Sequence, residues 1–131
     1  MNDTTRIRLL TVPEHTSELA RHVVTLANDE DPHDRKSEIA AAARVELHFP
    51  NFTDGRAYSQ AYLLRRRLGF KGDLRATGDV LVDQLIQMER TGFSSAVLKE
   101  GIDPSEARHQ LDRFPAFYQG DVIQDAPFRR T

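Results

Sequence analysis

At 131 residues and 14.9 kDa the chain has the size of one domain and is long enough to bury a core without staples. It contains no cysteine, which excludes disulfides, thiolate nucleophiles, redox dithiols and a self-held iron–sulfur cluster, and eighteen basic against twenty acidic side chains exclude the basic field of a nucleic-acid binder. Its apolar runs are far shorter than the ~18 residues of a membrane span and residues 1–8 are too polar for a signal peptide, so a soluble, cytoplasmic protein is expected.

Helix-period and strand-period segments alternate along the chain. Residues 6–11 (RIRLLT) predict a short strand closed by Val12-Pro13, the proline disfavouring helix at Val12. Residues 14–21 predict two helical turns, and the β-branched run 22–27 a strand. The acidic turn 28–34 contains Asp31 and Pro32, an N-cap followed by a proline at the first helical position, and the helix they open runs to about Ala43. A strand over 45–49 and a loop over 50–54 follow.

Gly55 opens the clearest helix. Ala57, Ala61, Leu64 and Leu68 form one apolar stripe at 3.6-residue spacing, and Gly69 is its left-handed terminator. Residues 74–77 predict a strand, and 80–91 a helix with Leu81, Leu85 and Met88 inward and Gly92 at its end. A last strand spans 95–99. Asp103, Pro104 and Glu106 start the final helix, lined by Ala107, Leu111 and Phe114 and stopped by Pro115.

No repeat or linker interrupts this succession. It predicts an α/β fold as a single domain over residues 1–131, with 116–131 as a C-terminal tail. About four or five βα units imply a mainly parallel sheet, either open and doubly wound or like a segment of a barrel wall. Val45, Leu47 and Phe49 alternate with Glu46 and His48, and Leu74 and Ala76 with Arg75 and Thr77, so one sheet face is apolar and the other charged. A partly solvated face is the preferred explanation; the other is a polar barrel interior completed by a partner chain.

In parallel α/β sheets ligands sit at the carboxyl ends of the strands. That rule selects Asn28 and Asp29; Asn51, Thr53, Asp54 and Arg56; Gly78, Asp79 and Asp83; Lys99 and Glu100. Thr53, Gly55, Arg56, Tyr58 and Ser59 form a candidate anion site, since a glycine opening a helix presents N–H groups to the loop. Arg56 opposes the helix dipole there, which makes sense if it holds an anion. Asp54 reads first as a cap or Asx turn, and Asp79 as the cap of the next helix. As catalytic candidates, Asp54 and Asp79 supply carboxylates and His48 a general base. The five histidines (His15, His22, His33, His48 and His109) show no His-x-x-x-His spacing, so no metal is expected. Dinucleotide, Walker and nucleophile-elbow motifs are absent, and no cofactor is expected. The run Arg65-Arg66-Arg67 reads as a solvated helix face rather than a nucleic-acid patch.

The segments 49–59 (FPNFTDGRAYS), 63–70 (LLRRRLGF), 72–80 (GDLRATGDV) and 83–85 (DQL) resemble the bacterial domain-of-unknown-function family 934. Several rare words recur in order at the same spacing. Ala57 stands where the family usually has glycine, and Thr91-Gly92 where Cys-Gly is common. Members are usually encoded beside assimilatory sulfite reductase and adenylyl-sulfate reductase and carry an oxidoreductase label for sulfite reduction. The resemblance implies an accessory protein of assimilatory sulfite reduction that binds an oxyanion or the reductase. With no cysteine, the chain has no thiolate redox chemistry of its own. One alternative is a small enzyme acting on a phosphorylated or carboxylated metabolite through Asp54, Arg56 and Asp79. Another is a structural partner docking through Phe49-Pro50-Asn51-Phe52 and the Tyr58 and Tyr62 surfaces. Sulfite reductase, a related pathway enzyme or a second copy of the chain are the expected partners, with no nucleic acid and no membrane.

Overall fold

The computed structural model describes residues 7–18 and 22–113, so the expected end of the first helix, Phe114, Pro115 and the tail 116–131 lie outside the described residues. Among these residues five strands, β1 (Arg8–Leu10), β2 (Val23–Leu26), β3 (Arg44–Phe49), β4 (Asp73–Gly78) and β5 (Ser95–Val97), form one all-parallel sheet in the order β1-β5-β4-β3-β2. The helices are α1 (Val12–Ser17), α2 (Lys36–Ala40), α3 (Arg56–Tyr62), α4 (Leu85–Thr91) and α5 (Pro104–Leu111). No helix among the described residues is long and apolar enough to cross a membrane.

Strand order explains where the helices lie. From β2 to β5 the chain moves one strand at a time in one direction, and right-handed crossovers then put the intervening helices on one face. Val24, Leu26, Val45, Leu47, Phe49, Leu74, Ala76 and Ala96 face that layer and pack with Ile39, Ala61, Leu64, Leu85, Met88 and Leu111 into one core. The β1-to-β2 connection runs back across the sheet, so α1 falls on the opposite face. The result is an open sheet with a barrel-like run of consecutive strands.

Local chemistry sets most element ends as expected. Asp31 accepts from His33 N–H at 3.0 Å ahead of Pro32, and Asp103 accepts from Ser105 N–H at 2.9 Å ahead of α5. Gly69 and Gly92 take positive φ of 70° and 111° at their helix ends. Four elements differ from the sequence reading. The helix expected from Pro32 to about Ala43 is a 3₁₀ turn over Pro32–Arg35 followed by α2 alone, because the backbone at Arg35 leaves the helical region between them. Helix α1 begins at Val12, not Glu14, because Thr11 and Glu14 form a reciprocal capping box and a first-turn proline needs no N–H partner. Helix α3 widens into a π-helical turn over Leu63–Arg67. Helix α4 begins at Leu85 behind a 3₁₀ turn over Val82–Gln84, because Leu81 stays extended and Asp79 is engaged elsewhere. Arg65 also departs from a solvated face: its guanidinium donates to the carbonyls of Gly92, Phe70 and Gly72, each at 2.9 Å.

The charged sheet face is not solvated at its centre. Arg75, on the middle strand, is completely buried. It donates to Ser95 Oγ at 2.8 Å and Asp73 Oδ2 at 2.9 Å, and its Nη1 lies 3.0 Å from His15 Nδ1 of α1. Beside it Arg44 donates to Glu46 at 2.9 Å. Burial alone would push the Asp73 carboxyl up, but hydrogen bonds from Ser94 and Ser95 and the Arg75 charge outweigh it and hold it below the usual range.

Two outcomes are expected. Arg75→Ala removes a fully buried cation and leaves the buried Ser95 hydroxyl and the half-buried Asp73 and Glu18 carboxylates without it, and should lower unfolding free energy by about 3 kcal/mol in urea titrations. Asp73 binds its proton less readily folded than unfolded. Its stabilisation is therefore complete above its unfolded value near pH 4 and lost as pH falls through the lowered folded value. Thermal melts should show that decline in the wild type and a shallower one in Asp73→Asn.

Candidate functional site

The loops after β2, β3 and β4 meet at the carboxyl end of the sheet, with the Lys99 segment beside them. Gly78 makes their close approach feasible. Its φ is +92°, and a Cβ there would stand 2.3 Å from the Phe49 carbonyl and 2.7 Å from the His48 ring. With that space clear, Asp79 N–H donates to the Phe49 carbonyl at 2.8 Å. The strand ends of β3 and β4 are thereby locked together.

The loop over residues 50–55 is fixed mostly by its own polar groups. Asn51 Oδ1 accepts from Thr53 N–H at 2.9 Å and from Thr53 Oγ1 at 2.6 Å, and Asp54 N–H donates to the Asn51 carbonyl at 2.9 Å. Asp54 forms the Asx turn expected of it, accepting from Arg56 N–H at 3.0 Å. The same carboxylate takes both ends of the Arg56 fork, at 3.2 and 3.0 Å, and accepts a hydrogen bond from Asn28 Nδ2. Arg56 in the first turn is therefore neutralised by Asp54 rather than set against the dipole unpaired. The side-chain hydrogen bond from Arg56 holds the Asp54 carboxyl below the usual range.

Asp79 does not cap the following helix. Its Oδ2 accepts from Phe52 N–H at 2.8 Å and its Oδ1 from Lys99 Nζ at 2.8 Å, and the lysine bond holds this carboxyl low as well. Gln84 Nε2 donates to the Phe52 carbonyl at 3.0 Å. Phe52 is therefore held by its N–H through Asp79 and by its carbonyl through Gln84, while the residue is 43% exposed. Sequence reasoning named Phe52 only as part of a docking segment; the clamp needs Gln84, 32 residues away.

The other expected site residues are dispersed. Tyr58 leaves the loop for an aromatic cluster, edge-on to Phe49 at 5.2 Å and to Phe93 at 6.3 Å. Its hydroxyl is buried with no hydrogen-bond partner among the described residues, and burial pushes it up to about 12. Ser59 is exposed. Gly55 is αR with open space where a Cβ would be, so no close approach requires glycine there. Ala57 is buried in the core, which accounts for a methyl at that position. His48 is exposed on the polar face, its Nδ1 3.4 Å from Thr77 Oγ1. Among the described residues no group of three or more His, Asp or Glu side chains is arranged to hold a metal.

These features define a small α/β protein with a self-paired loop cluster at the carboxyl end of a parallel sheet. The chain belongs to the bacterial family described as "Bacterial protein of unknown function (DUF934)", whose family model matches residues 23–129. Comparison with curated proteins and with solved structures gives no match.

Asp79→Asn should leave the fold intact but loosen the clamp. The Phe52 amide is expected to exchange with deuterium about tenfold faster, while amides of β3 and β4 stay protected.

Proposed function

We propose that this chain is an accessory protein of assimilatory sulfite reduction that binds the reductase or a related enzyme of the pathway, without thiolate redox chemistry of its own. The pathway follows from the resemblance of its 49–85 segments to proteins encoded beside those enzymes. The manner of binding follows from one observation: Phe52 is exposed while its peptide is clamped by Asp79 and Gln84. An aromatic held in position loses little entropy on docking and can serve as an anchor. Arg56–Asp54 and Lys99–Asp79 are ion pairs of the same loop cluster, the arrangement of a polar rim. The role implies a cytoplasmic protein.

Within this reading the reductase is favoured over an oxyanion at residues 53–59. The N–H groups of Phe52, Thr53, Asp54 and Arg56 are all used inside the fold, and the Arg56 charge is matched. The enzymatic alternative has less support. Asp54 and Asp79 are each paired with a cation and held ionised, whereas a general acid needs a proton near neutral pH.

Calorimetry with purified assimilatory sulfite reductase tests the proposal. Wild type is expected to bind, and Phe52→Ser to bind at least about tenfold more weakly with an unchanged melting temperature. A wild type that binds neither this reductase nor adenylyl-sulfate reductase would overturn the role. Equal binding by Phe52→Ser would overturn Phe52 as the anchor. Light scattering on the isolated chain distinguishes self-association from binding to the enzyme.

A further inference from the structure

The polar face of the sheet carries an arrangement that the loop cluster does not use. Glu18, immediately after α1, places its carboxylate among three guanidiniums from three different strands. Arg8 of β1 donates to Oε2 at 2.6 Å, Arg75 of β4 to Oε1 at 2.5 Å, and Arg44 of β3 approaches Oε1 at 3.5 Å. Two of these cations are fixed independently of Glu18. Arg75 is held by Ser95 and Asp73, and Arg44 by Glu46. Both are buried, whereas the Glu18 side chain remains 35% exposed, so its place is open to solvent on one side.

The charges explain why an anion belongs there. Arg8, Arg44 and Arg75 are matched by Asp73, Glu46 and Glu18; without Glu18 one positive charge is unmatched beside buried groups. His15 adds no charge to this balance, since its Nδ1 faces a guanidinium that can only donate and therefore accepts. Guanidinium forks bond oxyanions in the same geometry as carboxylates. Displacing Glu18 also sacrifices little packing, because no residue of α1 is buried.

We propose that this three-arginine cradle is a binding site for a small oxyanion such as sulfate or phosphate, that Glu18 occupies it in the unliganded chain, and that the ligand binds by displacing Glu18. The site is on the opposite face from the helix layer and does not depend on docking through Phe52. The Arg75 hydrogen bond holds the Glu18 carboxyl below its usual range, consistent with an anionic occupant.

The test is calorimetric titration of sulfate and phosphate, at constant ionic strength, into wild type, Glu18→Gln, Glu18→Gln combined with Arg8→Gln, and Glu38→Gln as a control of equal charge change at an exposed position. Glu18→Gln is expected to bind at least about tenfold more tightly than wild type. The added Arg8→Gln should remove most of that gain, and Glu38→Gln should leave affinity at the wild-type level. Equal affinity in Glu18→Gln and wild type, a gain that survives Arg8→Gln, or the same gain in Glu38→Gln would overturn the site. If Glu18→Gln is unfolded in chloride, about 50 mM sulfate should restore its circular dichroism by binding in place of the lost carboxylate, and failure of that rescue would equally overturn it.

Discussion

A parallel sheet has two faces to cover, and this one covers them with opposite chemistries. Four helices carry an apolar layer onto one face. Among the described residues the other receives only α1, a six-residue helix with no buried residue, so apolar packing does not hold it in place. Polar contacts to Arg75 do that instead. Its guanidinium, on the central strand, bonds to β5 through Ser95, to its own strand through Asp73, and to α1 and the residue after it through His15 and Glu18. A buried cation needs partners on all sides, and satisfying it fixes how the β1-to-β2 connection lies across the sheet.

The carboxyl end of the sheet follows a related logic with weaker, more exposed pairs. Asp54 and Asp79 each join a backbone N–H to a side-chain cation, so both carboxylates act as braces for the loop between β3 and α3. Beneath the loop, Phe49 and Phe93 lie 5.9 Å apart with Tyr58 edge-on to each, giving the braced segment an aromatic floor. Phe52 is the aromatic of this region that remains turned to solvent.

Much of this architecture was legible in the sequence where information is local. The caps Asp31 and Asp103, the terminators Gly69 and Gly92, and the alternation in β3 and β4 depend on residues within a few positions of each other. The Thr11–Glu14 capping box is equally local, but the cue from Pro13 outweighed it. Helix α4 was expected five residues early because Asp79 resembles a cap, whereas its carboxylate is taken by Phe52 and Lys99 from other loops. Arg65 looked solvated because its helical neighbours mark the outward face. Its acceptors at Phe70, Gly72 and Gly92 appear only when the chain folds back.

Composition and short-range periodicity were enough for the class of fold, the two-faced character of the sheet and the lack of thiols, because they encode these directly. The rule that strand carboxyl ends gather on one side also put the loops after β2, β3 and β4 together, as they are in the folded chain. The partner of each charge emerges with the folded chain. Arg56 went to Asp54, Lys99 to Asp79, and Glu18 to a cradle of three arginines from strands far apart in the chain. The physical reason is that a charge takes its role from what lies within hydrogen-bond distance and from how much water is excluded there. Neither property exists until the sheet has assembled.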